Sequence, residues 1–254
     1  MQDIEKIIRL CDIIKNGKKI VFFGGAGVST ESGVPDFRSV DGLYNMKYDY
    51  PPETILSHTF FMNKPEEFYR FYRDKMLIEG VKPNAAHKAL AELEEMGKLT
   101  AVITQNIDGL HQLAGSKNVY ELHGTVHKNR CMKCGKKFDF EYIVNYQDNQ
   151  ENVPKCDKCG GMIKPEVVLY EEGLDDDVVS GAVRKIREAD VMIVGGTSLV
   201  VYPAAGLLRY FNGSDLVLIN KSSTAMDSMA NLVINESIGE VFTEVMKRLK
   251  NNDN

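Results

Sequence analysis

The chain reads as an α/β protein: a parallel sheet with helices on both faces, interrupted by two inserts. Three observations carry this reading. Runs that are apolar almost throughout, at 20–23, 100–104, 119–122, 191–194, 216–219 and 232–234, have the composition of strands buried on both faces. Helical patterns alternate with them, as a parallel sheet requires. Gly24, Gly25 and Gly27 follow the first run at once, where glycines let a backbone turn tightly and approach a pyrophosphate.

Taken in order, Ile4, Ile7, Ile8, Cys11 and Ile14 recur at helical spacing, so a helix over 3–16 ends at Gly17. The strand at 20–23 then runs into GAGVSTESGVPDFR. A GxGxxG loop needs glycine at position 30, where the chain has Thr30. Gly33, Pro35, Asp36, Phe37 and Arg38 follow instead. Proline interrupts a helix there, so a loop bearing a carboxylate, an aromatic ring and a guanidinium is expected beside a bound cofactor. Residues 39–80, with Pro51, Pro52 and many aromatics, form a loop plus helical insert, with a helix over 65–79. Further helices are expected at 84–96, 175–188, 203–211 and 239–250, and the polar tail 251–254 frays. The second insert spans 125–165, leaving 1–38, 81–124 and 166–254 as one discontinuous sheet-bearing unit. Ligands of open α/β sheets sit at the carboxyl ends of the strands, where two inserts can build a cleft.

A length of 254 residues allows one large and one small domain, and the formal net charge of −5 disfavours general nucleic-acid or anionic-membrane binding. The N-terminus is charged throughout and no apolar run approaches the ~18 residues of a membrane span, so a cytoplasmic protein is expected. Four of the five cysteines form CMKC and CDKC: Cys131, Cys134, Cys156 and Cys159. Two such turns place four thiolates around a tetrahedral ion, and Gly135 and Gly160 permit the turns. A redox site needs one CxxC at a helix N-terminus, so one structural zinc is the better reading, and four thiolates leave it no open position. Lys128, Arg130, Lys133, Lys136 and Lys137 beside it read as a solvated face, with nucleic-acid contact as the alternative.

Polar residues cluster at strand ends. Gln105, Asn106, Ile107 and Asp108 follow AVIT, and their amides and carboxylate suit hydroxyl and carboxamide groups, although Asp108 equally suits a helix cap. His123 ends the next strand, where an imidazole can serve as a base or simply pack; His58, His87, His111 and His127 are expected in capping or surface roles. Gly195, Gly196, Thr197 and Ser198, and then Asn220, Lys221 and Ser222, place small or hydroxylated groups along the same edge, fitting phosphate and ribose or ordinary caps.

In this order, GAGVSTESGVPDFR, TQNIDGLH, the ELHG histidine, the paired CxxC motifs, KPEVVLY, GTSLVVYPA and the Asn220 strand end resemble the sirtuin family of NAD-dependent protein deacylases across nearly the whole chain. The resemblance implies a large Rossmann-like domain, a small domain of zinc ribbon and helical insert, and NAD meeting acetyl-lysine in the cleft between them. It implies NAD contacts from Gly25, Ala26, Gly27, Thr30, Asp36, Phe37, Arg38, Gln105, Gly196, Thr197, Ser198, Asn220, Lys221, Ser222 and Ile238. Ile107 and Asp108 would hold nicotinamide, with Asn106 beside the ribose. Asn106 and His123 are then the catalytic pair, His123 taking a ribose hydroxyl proton, with lysine and O-acetyl-ADP-ribose as products. Nicotinamide is a product and an expected inhibitor. Val167, Val168 and Tyr170 on one side, and Val200 and Val201 on the other, resemble strands that sandwich a substrate peptide.

Three positions depart from the family pattern. Phe-Gly-Glu reads Tyr170-Glu171-Glu172, Thr-Pro after the Asn220 strand reads Thr224-Ala225, and the Tyr-x-x-Arg of succinyl-preferring members reads Tyr69 with Tyr72 three positions on. Without that arginine an uncharged acyl group such as acetyl is expected. Competing readings are a hydride-transferring dehydrogenase, an NAD hydrolase or ADP-ribosyltransferase, and a non-catalytic NAD-sensing module.

Overall fold

The computed structural model describes residues 3–36, 48–147 and 152–251. Helix α1 (Asp3–Asn16) leads into β1 (Ile20–Gly24), followed by α2 (Pro52–Ile55), α3 (His58–Asn63), α4 (Pro65–Lys75) and α5 (Ala85–Glu95). Next come β2 (Leu99–Thr104), α6 (Leu110–Ala114), β3 (Val119–Glu121), β4 (Gly124–Cys131), β5 (Lys137–Phe138), α7 (Phe140–Asn145) and β6 (Ile163–Val167). The chain closes with α8 (Asp176–Glu188), β7 (Val191–Gly195), β8 (Asp215–Ile219), β9 (Leu232–Ile234) and α9 (Ile238–Asn251).

Six strands form one parallel sheet in the order β3-β2-β1-β7-β8-β9. Strand side chains alternate, so an apolar run feeds both faces at once. Ile20 and Phe22 pack with α1, α5 and α9 on one face, whereas Val21 and Phe23 pack with α8 and residues 204–208 on the other. The order reverses between β1 and β7, which opens a crevice at their carboxyl ends. The resulting architecture is a Rossmann-like parallel sheet carrying a second, smaller sheet of β5-β4-β6 in antiparallel pairing. A third apolar core joins the aromatics of α3 and α4, among them Phe61, Phe68, Tyr69 and Tyr72, to β4, β6, Cys131 and Cys156.

Three expectations change. The helix expected at 65–79 ends at Lys75, where the Met76 and Leu77 amides both turn back to the Tyr72 carbonyl. Residues 204–210 form a 3-10 helix rather than an α-helix: Gly206 weakens the interior, and its amide reaches Pro203 three residues back. Val200 and Val201 lie in no strand; Leu199 before them is left-handed at φ 57°, and the Val201 carbonyl accepts from Ala205.

Candidate active site and metal centre

The carboxyl ends of β1, β2, β7 and β8 are tied together by short polar links. The Gly25 amide donates to Gly195 O at 3.3 Å and the Gly27 amide to Gly196 O at 2.8 Å. A methyl group on Gly27 would lie 2.9 Å from the Gly196 Cα, and one on Gly25 2.8 Å from the Thr197 Cβ. These two glycines are therefore required first by contact between loops, whatever they also offer to a ligand. Beyond them the chain makes two single 3-10 turns, Ala26–Val28 and Thr30–Ser32, and leaves through left-handed Gly33 at φ 87°. Thr30 Oγ1 donates to Gly27 O at 3.1 Å. Asp36 ends this described segment, and Phe37 and Arg38 lie outside the described residues.

Along the same edge, Gln105 Nε2 donates to Thr197 Oγ1 at 3.1 Å, the Thr197 amide donates to Asn220 Oδ1 at 2.9 Å, and Asn220 Nδ2 returns to Thr197 O at 2.9 Å. Gly196 is left-handed at φ 60°, while Ser198, Lys221 and Ser222 are exposed. The Ile238 side chain is buried beneath Gly195, so a contact from this residue to NAD would come from its backbone at the start of α9.

Asn106 and Asp108 meet through a residue that sequence reasoning passed over. Ser29 Oγ donates to Asp108 Oδ2 at 2.6 Å and accepts from Asn106 Nδ2 at 3.0 Å. Asp108 Oδ1 also accepts the Leu110 amide at 2.9 Å, so the carboxylate holds the first amide of α6 and faces Ser29 at once. Behind Ser29 lies His87 Nε2 at 3.4 Å. The Asn84 amide donates to His87 Nδ1, so that nitrogen is the acceptor and Nε2 carries the proton. His87 thus closes a capping box on α5, as expected, yet it is fully buried. His111 is buried too, 4.7 Å from the His87 ring, with no partner on either nitrogen among the described residues. Burial pushes His87 down to about 4 against the opposing pull of Asp108, and His111 to about 3. No periodic signal marks this cluster, since Ser29 sits in an irregular loop.

His123 Nδ1 lies 3.0 Å from the Gln105 carbonyl. A carbonyl only accepts, so Nδ1 carries the proton and Nε2 keeps its lone pair. Burial lowers the His123 pKa from the ordinary value, with the Gln105 carbonyl opposing. Its own carbonyl accepts the Val168 amide at 3.0 Å, while Ile107 O accepts the Val126 amide. The Leu169 and Tyr170 amides are taken by Glu172 Oε2 and Leu56 O, both at 2.9 Å. Tyr170 and Val200 are exposed apolar residues, and Val167 is buried at the end of β6.

The four cysteine sulfurs lie within 4.8 Å of one another, with Cys131–Cys159 at 3.5 Å and Cys134–Cys156 at 3.7 Å. Gly135 and Gly160 are left-handed at φ 71° and 68°, as the two turns demand. These separations match the edges of a tetrahedron with metal–sulfur bonds of about 2.3 Å, so the donor set fits zinc. Of the basic residues beside it, Arg130 pairs with Glu166 and Lys136 with Asp157.

The Sir2 family model matches residues 25–203, and the chain belongs to that family. It is 62% identical over 245 residues to an NAD-dependent protein deacetylase of Clostridium acetobutylicum, covering 96% of this chain and 99% of the relative. A relative of the same name from Cutibacterium acnes is 49% identical, covering 94% and 97%. Among solved structures, a Sir2 protein with a deacetylated p53 peptide and 3'-O-acetyl ADP ribose superposes with a TM-score of 0.87 at 41% identity, covering 95% and 98%. A Sir2 complex with p53 peptide and NAD+ gives 0.84 at 41% identity, covering 94% and 97%.

Proposed function

We propose that this chain is an NAD-dependent protein lysine deacetylase of the bacterial sirtuin type, moving the acetyl group of acetyl-lysine to ADP-ribose and releasing nicotinamide. The observation that carries this reading is a neutral imidazole, His123, whose unprotonated Nε2 stands at the same strand edge as the Ser29-linked pair Asn106 and Asp108. The relatives named as deacetylases along their full length support it.

When bound, NAD supplies a ribose carbon that loses nicotinamide and accepts the acetyl oxygen. Gly25, Ala26, Gly27, Thr30 and Asp36 line the approach to it, with Phe37 and Arg38 assigned to NAD by the family motif alone, and Gln105, Gly196, Thr197, Ser198, Asn220, Lys221 and Ser222 line the strand edge. Ile107 and Asp108 receive the nicotinamide carboxamide, the carboxylate being fixed by Ser29 and the Leu110 amide. Asn106 is held towards the ribose by Ser29 and Thr104. His123 Nε2 takes the proton of a ribose hydroxyl, and the imidazolium keeps its bond to Gln105.

The acetylated peptide lies between residues 167–170 and 200–201. Because the amides of 168–170 and the carbonyls of 167, 169 and 170 are already engaged, it pairs there through the Val168 carbonyl. The acyl group is uncharged: Tyr69 and Tyr72 are buried, Arg70 pairs with Asp49, and Arg73 is bonded to the Ile143 and Asn152 carbonyls. Equal rates on succinyl and acetyl peptides would sink that assignment. One zinc on Cys131, Cys134, Cys156 and Cys159 holds the ribbon together. The units are 1–38, 81–124 and 166–254 for NAD, 39–80 for cofactor loop and helical insert, and 125–165 for the ribbon. We place the protein in the cytoplasm, where the four thiols stay reduced, with nicotinamide inhibiting by re-entry. Among the described residues no helix is long and apolar enough to cross a membrane.

One assay tests the reading: incubate with NAD, with and without acetylated peptide, and follow nicotinamide and peptide mass. Peptide-dependent nicotinamide release with loss of one acetyl is expected. Release without peptide would favour hydrolysis, a mass gain ADP-ribosyl transfer, and no release a binding module.

A further inference from the structure

Glu171 has a left-handed backbone, φ 75°, in a position where a side chain is strained. Its carboxylate has a definite target: Oε2 accepts the Thr59 amide at 2.8 Å, in the first turn of α3. Glu172 grips the neighbouring residue, its Oε1 accepting from His58 Nδ1 at 2.8 Å. The other Glu172 oxygen accepts from Lys164 Nζ at 3.0 Å and the Leu169 amide at 2.9 Å. Backbone bonds run beside these links, Tyr170 N to Leu56 O at 2.9 Å and His58 N to Tyr170 O at 3.0 Å. At its other end the segment hangs from the His123 carbonyl through the Val168 amide.

Residues 168–172 are thus strung between the histidine assigned as base and the helical insert, and two adjacent acids fasten the far end. A glycine at 171 would adopt the same backbone without strain but would leave the Thr59 amide without this acceptor. We propose that Glu171 is a positioning residue for peptide binding: its carboxylate clamps the rim segment 168–172 onto α3 and so fixes Val168 and Tyr170 for the acetyl-lysine peptide. The role rests on the deacetylase reading above. It acts on the peptide side of the cleft, since the side chains of Glu171 and Glu172 bond to His58, Thr59, Lys164 and Leu169, none of them a residue assigned to NAD.

Three variants separate clamp from strain: Glu171→Gly removes both, Glu171→Ala removes the clamp and keeps the strain, and Glu171→Gln keeps an oxygen acceptor. Steady-state kinetics would give KM for an acetyl-lysine peptide, KM for NAD, and kcat, with melting temperature measured alongside. Glu171→Gly and Glu171→Ala are expected to raise the peptide KM roughly 5- to 20-fold with the NAD KM within about twofold, and Glu171→Gln to stay within about threefold of wild type. Glu171→Ala should melt below Glu171→Gly. An unchanged peptide KM in Glu171→Gly and Glu171→Ala overturns the proposal, as does an equal rise in both KM values. Wild-type protein that consumes NAD yet leaves the peptide's mass unchanged refutes the deacetylase reading itself, and the positioning role falls with it.

Discussion

The imidazole of His123 can serve as a base only in the tautomer the fold selects, and the Gln105 carbonyl selects it. Replacing it by alanine should lower the deacetylation rate by about 10²- to 10⁴-fold, the span of general-base catalysis. Because burial lowers its pKa, the acidic limb of the kcat/KM profile should fall below the ordinary histidine value of 6.5; a limb above that value would contradict the assignment. His87 and His111 bear on stability instead. Their folded pKa values, about 4 and about 3, lie below the 6.5 of the exposed group, so only the unfolded chain gains protons as pH drops below 6.5. The stability they leave intact above pH 6.5 is lost progressively down to those values. Melting temperature should therefore decline between pH 7 and 5, before the carboxylates titrate. His111→Leu, which removes one titrating ring, should flatten that slope.

At the scale of elements, glycines separate into those that need space and those that need only a backbone angle. Gly124 opens β4 at φ 74°, and a methyl group there would sit 2.0 Å from the Glu166 carbonyl oxygen of β6. Gly97 is left-handed as well, at φ 72°, but faces open space. Gly97→Ala should cost about 1–2 kcal/mol, the left-handed penalty alone. Gly124→Ala should cost about 4 kcal/mol or more, as strain and overpacking combine, and should shift His123, one residue away. Urea denaturation of the two variants checks the ranking, which comparable losses would contradict.

Across the whole molecule, the metal centre and the helical insert share one apolar core, so neither is expected to stand alone. Cys131 and Cys156 pack in the same cluster as Phe61, Phe68, Tyr69 and Tyr72. Stripping zinc removes a binding energy of about 10–16 kcal/mol on the scale of zinc-finger peptides. Chelation under reducing conditions should therefore expose cleavage sites both in 125–165 and in 52–77 while the six-stranded sheet stays protected. Limited proteolysis followed by mass mapping reads this directly, and cleavage confined to the ribbon would show that the shared core does not couple them.

What the sequence by itself determined is whatever local chemistry repeats along the chain. The six apolar runs declared a sheet covered on both faces, because each strand's alternate residues must find a core on either side. Two CxxC turns marked a four-cysteine cluster that fits a metal, and the polar residues after AVIT and at His123 marked the strand edge proposed for the ligand. Only the tertiary structure decided how residues distant in sequence meet: Ser29 between Asn106, Asp108 and His87, the antiparallel pairing of β4 with β6, and Glu171 on Thr59. Those contacts join loops and neighbouring layers, where no period of 2 or 3.6 operates and the partner is fixed by packing rather than by spacing.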